Sequence, residues 1–101
     1  MTYTYKAGKP NGNPKLTSEQ CTLIMQEYKD VNALMLFLFI YQDVPDECEH
    51  FTIDEASVKE QYGLSIKKQM DVYNRLQTVA LIKKTGKTYS INRDLVKSLL
   101  I

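Results

Sequence analysis

Residues 33–41 are nine consecutive apolar side chains, Ala-Leu-Met-Leu-Phe-Leu-Phe-Ile-Tyr, and they constrain the fold more than any other stretch. Nine residues fall far short of the roughly 20 needed to cross a bilayer, so the run must be buried by its own chain. At 101 residues and 44% hydrophobic, the chain has enough apolar side chains for one small core and too few residues for two domains. Asp30 or Asn32 can cap a helix over residues 33–42, and a helix apolar nearly all round belongs at the centre of a core. Phe37, Leu38 and Phe39 would also suit a buried strand, which periodicity alone does not separate from a helix. With a cap in place, the helix is the expectation.

The flanks read differently. Residues 1–16 carry Lys6, Lys9 and Lys15 and no acid, with Gly8, Pro10, Gly12 and Pro14 breaking residues 6–14 into a loop. This is a basic flexible arm, in which Tyr3 and Tyr5 alternate with threonines and would suit a short strand if a sheet edge received it. Met1 is followed by Thr2, Tyr3, Thr4 and Tyr5, without the basic region and apolar stretch of a secretory signal, so a cytoplasmic protein without a membrane segment is expected. Thr17 with Gln20 three residues on is a capping-box pattern, opening a helix over 18–29. Its stripe of Cys21, Ile24, Met25 and Tyr28 could bury against a second copy, predicting a homodimer, or against the chain's own core.

After the apolar run, residues 43–50 hold Pro45 and four acids and form a solvated loop. A short strand follows at 51–53. Asp54 caps a helix over 55–62 that Gly63 ends, and Ser65 caps another that stops near Val79. Residues 81–84 and 87–91 are β-prone runs around Thr85 and Gly86, a hairpin signal. Asn92 can cap a last helix over 93–100. Residues 17–101 thus make one domain, mainly α with a small β-hairpin.

Strand, helix, turn, helix and hairpin in that order over residues 51–91, with 33–42 as the first helix, resemble the winged helix-turn-helix family. The residues that carry the resemblance are Phe-Thr-Ile-Asp-Glu-Ala at 51–56, the Gly63-Leu64-Ser65 turn, Leu76, and Leu81-Ile82-Lys83-Lys84 entering the hairpin. With the helix included, the resemblance spans residues 33–91, more than half of the chain. Two positions depart from the family pattern. Ala80 stands where the family commonly has glycine, and Gln69 stands at an inward position that is commonly β-branched and leaves a polar group to satisfy.

The resemblance implies an α+β winged helix-turn-helix fold with an extra N-terminal helix, and binding of double-stranded DNA. The helix over 65–79 would enter the major groove and the hairpin wing would reach the neighbouring backbone. Carried over residue by residue, Ser65, Lys67, Lys68, Asp71, Asn74 and Arg75 are the outward groups of that helix. Lysine or arginine can donate to guanine, asparagine can pair with adenine, and Lys83, Lys84 and Lys87 on the wing suit phosphates. Asp71 can accept from a cytosine amino group or pair with a neighbouring lysine.

Charge separates along the chain in the same sense: residues 1–16 sum to +3, residues 17–64 to −8 and residues 65–101 to +6. Singly, surface lysines are most often a solvated face that also guards strand edges. Eight basic residues within the last 37, on the elements that the family uses for DNA, favour DNA binding, and the resemblance implies a transcriptional regulator or replication accessory factor. The acidic surface also suits a protein partner, the alternative being a winged helix used for protein contact without DNA.

Catalysis and cofactors find little support. His50 is the only histidine, so a histidine-based triad would have to be built around a loop residue, and no enzyme is expected. Cys48 and His50 are two residues apart with no paired-cysteine motif, a poor metal signal. Cys21 belongs to a helix stripe and Cys48 to a loop, so the two are expected unpaired within a chain, and no cofactor is implied.

Overall fold

Side-chain caps begin every helix, and they set the architecture. Thr17 and Gln20 close a reciprocal capping box at the start of α1 (Ser18–Tyr28), and Asp30 accepts from Ala33 to open α2 (Val31–Asp43). Asp54, Ser65 and Asn92 do the same for α3 (Glu55–Tyr62), α4 (Ile66–Thr78) and α5 (Arg93–Leu99). The computed structural model describes residues 2–8 and 15–100. Within them the chain is an α+β fold of five helices and one four-stranded sheet, and no helix is long and apolar enough to cross a membrane.

The sheet runs in the order β1-β2-β4-β3, from β1 (Tyr3–Tyr5), β2 (Phe51–Ile53), β3 (Ile82–Thr85) and β4 (Thr88–Ile91). β3 and β4 form an antiparallel hairpin around Gly86 and Lys87, one residue later than the sequence suggests. Gly86 takes φ +64 at the first central position, where a type II′ turn calls for glycine. β4 pairs antiparallel with β2 at Tyr89 and Phe51, and β1 adds in parallel on the far side of β2. Residues 2–8, placed by composition in a flexible arm, therefore belong to the body of the fold. Tyr5 and Ala7 are buried, the Tyr3 hydroxyl donates to Asp43 at 2.7 Å, and the Ala7 N–H donates to Ser57 at 3.0 Å. Burial and then that Asp43 bond push the Tyr3 phenol up to about 12. Residues 9–14, read as the heart of the loop, lie outside the described residues.

The core forms where α2 packs against α1 and α4, and α4 against β3. Leu34, Phe37, Ile40 and Val44 join Phe51, Val58, Tyr73, Leu76 and Leu81. α2 is helical as expected, but it is not enclosed on all sides. Val31, Met35 and Phe39, four residues apart, stay about half exposed along one ridge. Ile24 of α1 is fully buried, with Cys21, Met25 and Tyr28 packed against the same core, so the stripe considered for a second copy is used within the chain. Cys21 and Cys48 are both free.

Ala80 and Gln69, the two positions that depart from the winged-helix resemblance, are each accommodated locally. α4 ends in a Schellman motif: Ala80 N–H donates to Gln77 and Leu81 N–H to Leu76, while Ala80 takes φ +64. The glycine conformation is kept without the glycine, at about 1 kcal/mol. Gln69 is fully buried and fully partnered. Its Nε2 donates to the carbonyls of Glu55 and Leu64 at 2.9 and 3.0 Å, and its Oε1 accepts from the Tyr73 hydroxyl at 2.9 Å. This one side chain ties α3, the turn and α4 together.

Candidate nucleic-acid interface

α4 is amphipathic, and its two faces follow from the 3.6-residue period. Gln69, Val72, Tyr73 and Leu76 are buried, which turns Lys67, Asp71, Asn74 and Thr78 outward as one exposed ridge. Lys68 and Arg75 flank that ridge on the side of α2, and Met70 flanks it on the side of the hairpin. Ser65 sits at the helix start, where its hydroxyl oxygen accepts from Lys68 N–H at 3.2 Å. Its role is first of all structural, the cap that orients the helix.

On the hairpin, strand alternation separates the lysines. Lys84 shares the side of buried Ile82, with its ammonium 5.8 Å from the centre of the Tyr89 ring, whereas Lys83 points to the other side. Lys84 and Lys87 line a cleft of about 280 Å³ together with Met70 of α4, Thr52 and Glu55. Of the three hairpin lysines, Lys84 and Lys87 are brought beside α4 and Lys83 is not.

Arg75 is not the free donor that its outward position suggests. Its Nη1 donates to both oxygens of Asp30 at 3.0 and 3.2 Å, and its Nη2 donates to Asp71 at 2.8 Å. Asp71 therefore pairs with Arg75 rather than with a lysine. Arg93 is engaged as well, bonding Asp46 at 2.8 Å and the Pro45 carbonyl at 3.1 Å. Lys15 reaches the same Asp46 at 3.0 Å and the Val44 carbonyl, and both cations lie over the Tyr41 ring. The Lys15 hydrogen bond, with the Arg93 and Lys97 charges, holds the Asp46 carboxyl below its ordinary value. The acidic loop is thus anchored by two basic side chains, one of which belonged to the C-terminal tally. What remains are Lys67, Lys68, Lys83, Lys84, Lys87 and Lys97, which make no ion pair among the described residues.

Asp30 is the residue that sequence reasoning missed. It was read only as a helix cap, and nothing local signals a partner 45 positions away. Elsewhere, Met35, Phe39, Leu36, Tyr62, Leu64 and Val72 line an apolar groove of about 230 Å³ between α2, α3 and α4, with Phe39 stacked on Tyr62 at 5.3 Å. His50 is exposed and lines an open cleft with Asp46, Glu49, Arg93 and Asp94. No group of three candidate metal ligands occurs among the described residues. Compared with family models, curated proteins and solved structures, the chain matches none.

Proposed function

We propose that the chain is a winged helix-turn-helix protein that binds double-stranded DNA as a transcriptional regulator or replication accessory factor. The order α2, β2, α3, α4, β3, β4 and the pairing of β2, β4 and β3 support the fold reading. The observation that carries the DNA reading is the set of lysines without acid partners. Lys67 and Lys68 stand on exposed α4, and Lys84 and Lys87 stand across a cleft from it on the hairpin. α4 in the major groove would put Lys67, Asp71 and Asn74 at base edges, and the hairpin lysines at phosphates. The mechanism is binding alone: counterion release drives association, and α4 selects sequence.

Titration of ¹⁵N-labelled protein with duplex DNA tests this reading. Shifts concentrated on residues 65–78 and 83–88 support it. Shifts confined to α1 and the 43–50 loop, or none at low salt, refute it.

The apolar groove beside the exposed Met35 and Phe39 favours a second reading, in which the domain is a protein-contact module. With Ile24 spent in the core, the α2 ridge of Val31, Met35 and Phe39 is an exposed apolar surface that could serve a homodimer. Association there would be insensitive to salt, whereas DNA affinity falls steeply with it.

A further inference from the structure

A side chain reads a base edge with donors or acceptors that are free and held in place. Arg75 meets the second condition and only part of the first. A guanine contact needs two adjacent N–H groups pointing the same way, and three of the five N–H groups of Arg75, on both terminal nitrogens, are given to carboxylates, so the end-on Nη1–Nη2 fork is not free. Asp30 is itself fixed, half-buried at the α1–α2 junction and accepting from Ala33 N–H at 3.3 Å. Asp71 is the opposite case. Its Oδ2 takes the Arg75 bond, its Oδ1 has no partner among the described residues, and its side chain is 67% exposed on the ridge with Lys67 and Asn74. Asp30, Arg75 and Asp71 together carry one net negative charge, and Asp71 presents a braced acceptor on the exposed ridge.

We infer that Asp71, braced by Arg75 and through it by Asp30, is the specificity-determining residue of α4, selecting a cytosine amino group, while Arg75 is a positioning residue and reads no base. The inference rests on the DNA reading above. Guanine presents two acceptors in the major groove and thymine one, all repelled by a carboxylate. Adenine offers its amino group beside the N7 acceptor and suits an amide, whereas cytosine offers a donor that a carboxylate can take. Discrimination comes as much from repelling wrong bases as from the new bond. A lysine at 75 would keep the charge, but its single ammonium lacks the planar fork that joins two carboxylates at once.

Binding-site selection from a random duplex pool, read by sequencing, tests this on the wild type, Asp71→Asn, Arg75→Lys and Asp30→Asn, each checked for folding by circular dichroism. The wild type should prefer cytosine at one position by about 5- to 150-fold. Asp71→Asn should lose that preference while binding duplex more tightly at low salt, because a negative charge has gone from the interface. Arg75→Lys and Asp30→Asn should flatten the same position without changing the salt slope. An unchanged selection profile in Asp71→Asn overturns the inference, as does loss of a guanine preference in Arg75→Lys. Wild-type binding without any sequence preference overturns the inference alone, and no binding to any duplex at low salt overturns the DNA reading with it.

Discussion

Replacing Gln69 with leucine should destabilise the domain although it makes the core more apolar. The side chain is fully buried and makes three hydrogen bonds, to Glu55, Leu64 and Tyr73. At about 1 kcal/mol net for each bond, the substitution removes about 3 kcal/mol, and it leaves the buried Tyr73 hydroxyl without its acceptor. The added apolar surface returns on the order of 1 kcal/mol, for a net loss of about 2 kcal/mol. That is a large share of the 5–15 kcal/mol typical of a domain. Urea unfolding followed by far-ultraviolet circular dichroism measures it as a shift of midpoint at constant slope. Adding Tyr73→Phe removes the orphaned hydroxyl as well, so the double variant should be about 1 kcal/mol more stable than the sum of the singles. A Gln69→Leu variant as stable as the wild type, or additive with Tyr73→Phe, would refute the reasoning.

Gln69 also shows what could be read from the chain alone. Its inward position, and with it the need for partners, is legible from the winged-helix resemblance. Those partners did not, because they are backbone carbonyls and a tyrosine that converge only after the turn at Gly63 has formed. The caps at Thr17, Asp54, Ser65 and Asn92 are legible because each is a short-range bond between a side chain and the backbone that follows it. β1 is legible only as a conditional strand, since it pairs in parallel with β2 across 48 residues and the edge that receives it does not exist locally. Likewise, spacing exposes Arg75 but cannot reveal Asp30, and so it credited α4 with a free cation that is engaged. Apolar composition placed α2 at the centre, but hydrophobicity carries no direction, so the exposed Met35 and Phe39 were not anticipated.

Ala80→Gly should raise stability by about 0.5–1 kcal/mol, since it removes left-handed strain at the end of α4 at a smaller entropic cost; differential scanning calorimetry showing a lower Tm would contradict this. The Asp46 carboxyl is held below its ordinary value, so its contribution is present above about pH 4 and is lost as pH falls through the lowered folded value. That contribution is about 0.2–1 kcal/mol for an exposed pair, and Asp46→Asn should flatten the acid limb of a stability-against-pH curve by this amount and no more. Met35→Glu with Phe39→Glu should leave the fold intact, because both side chains are about half exposed. If copies or partners meet at the groove, sedimentation should show the association lost in that variant, and persistence of the assembly would place it elsewhere.

The most direct test of the central claim is the salt dependence of duplex DNA affinity, measured by fluorescence anisotropy, for the wild type and a Lys67→Ala, Lys68→Ala, Lys84→Ala, Lys87→Ala variant. The wild type should show log affinity falling linearly with log salt, and the folded variant should have a slope shallower by about one unit for each phosphate contact removed. Equal affinity and equal slope for the two proteins at low salt would mean that these lysines are solvated surface and that DNA is not the ligand of this face.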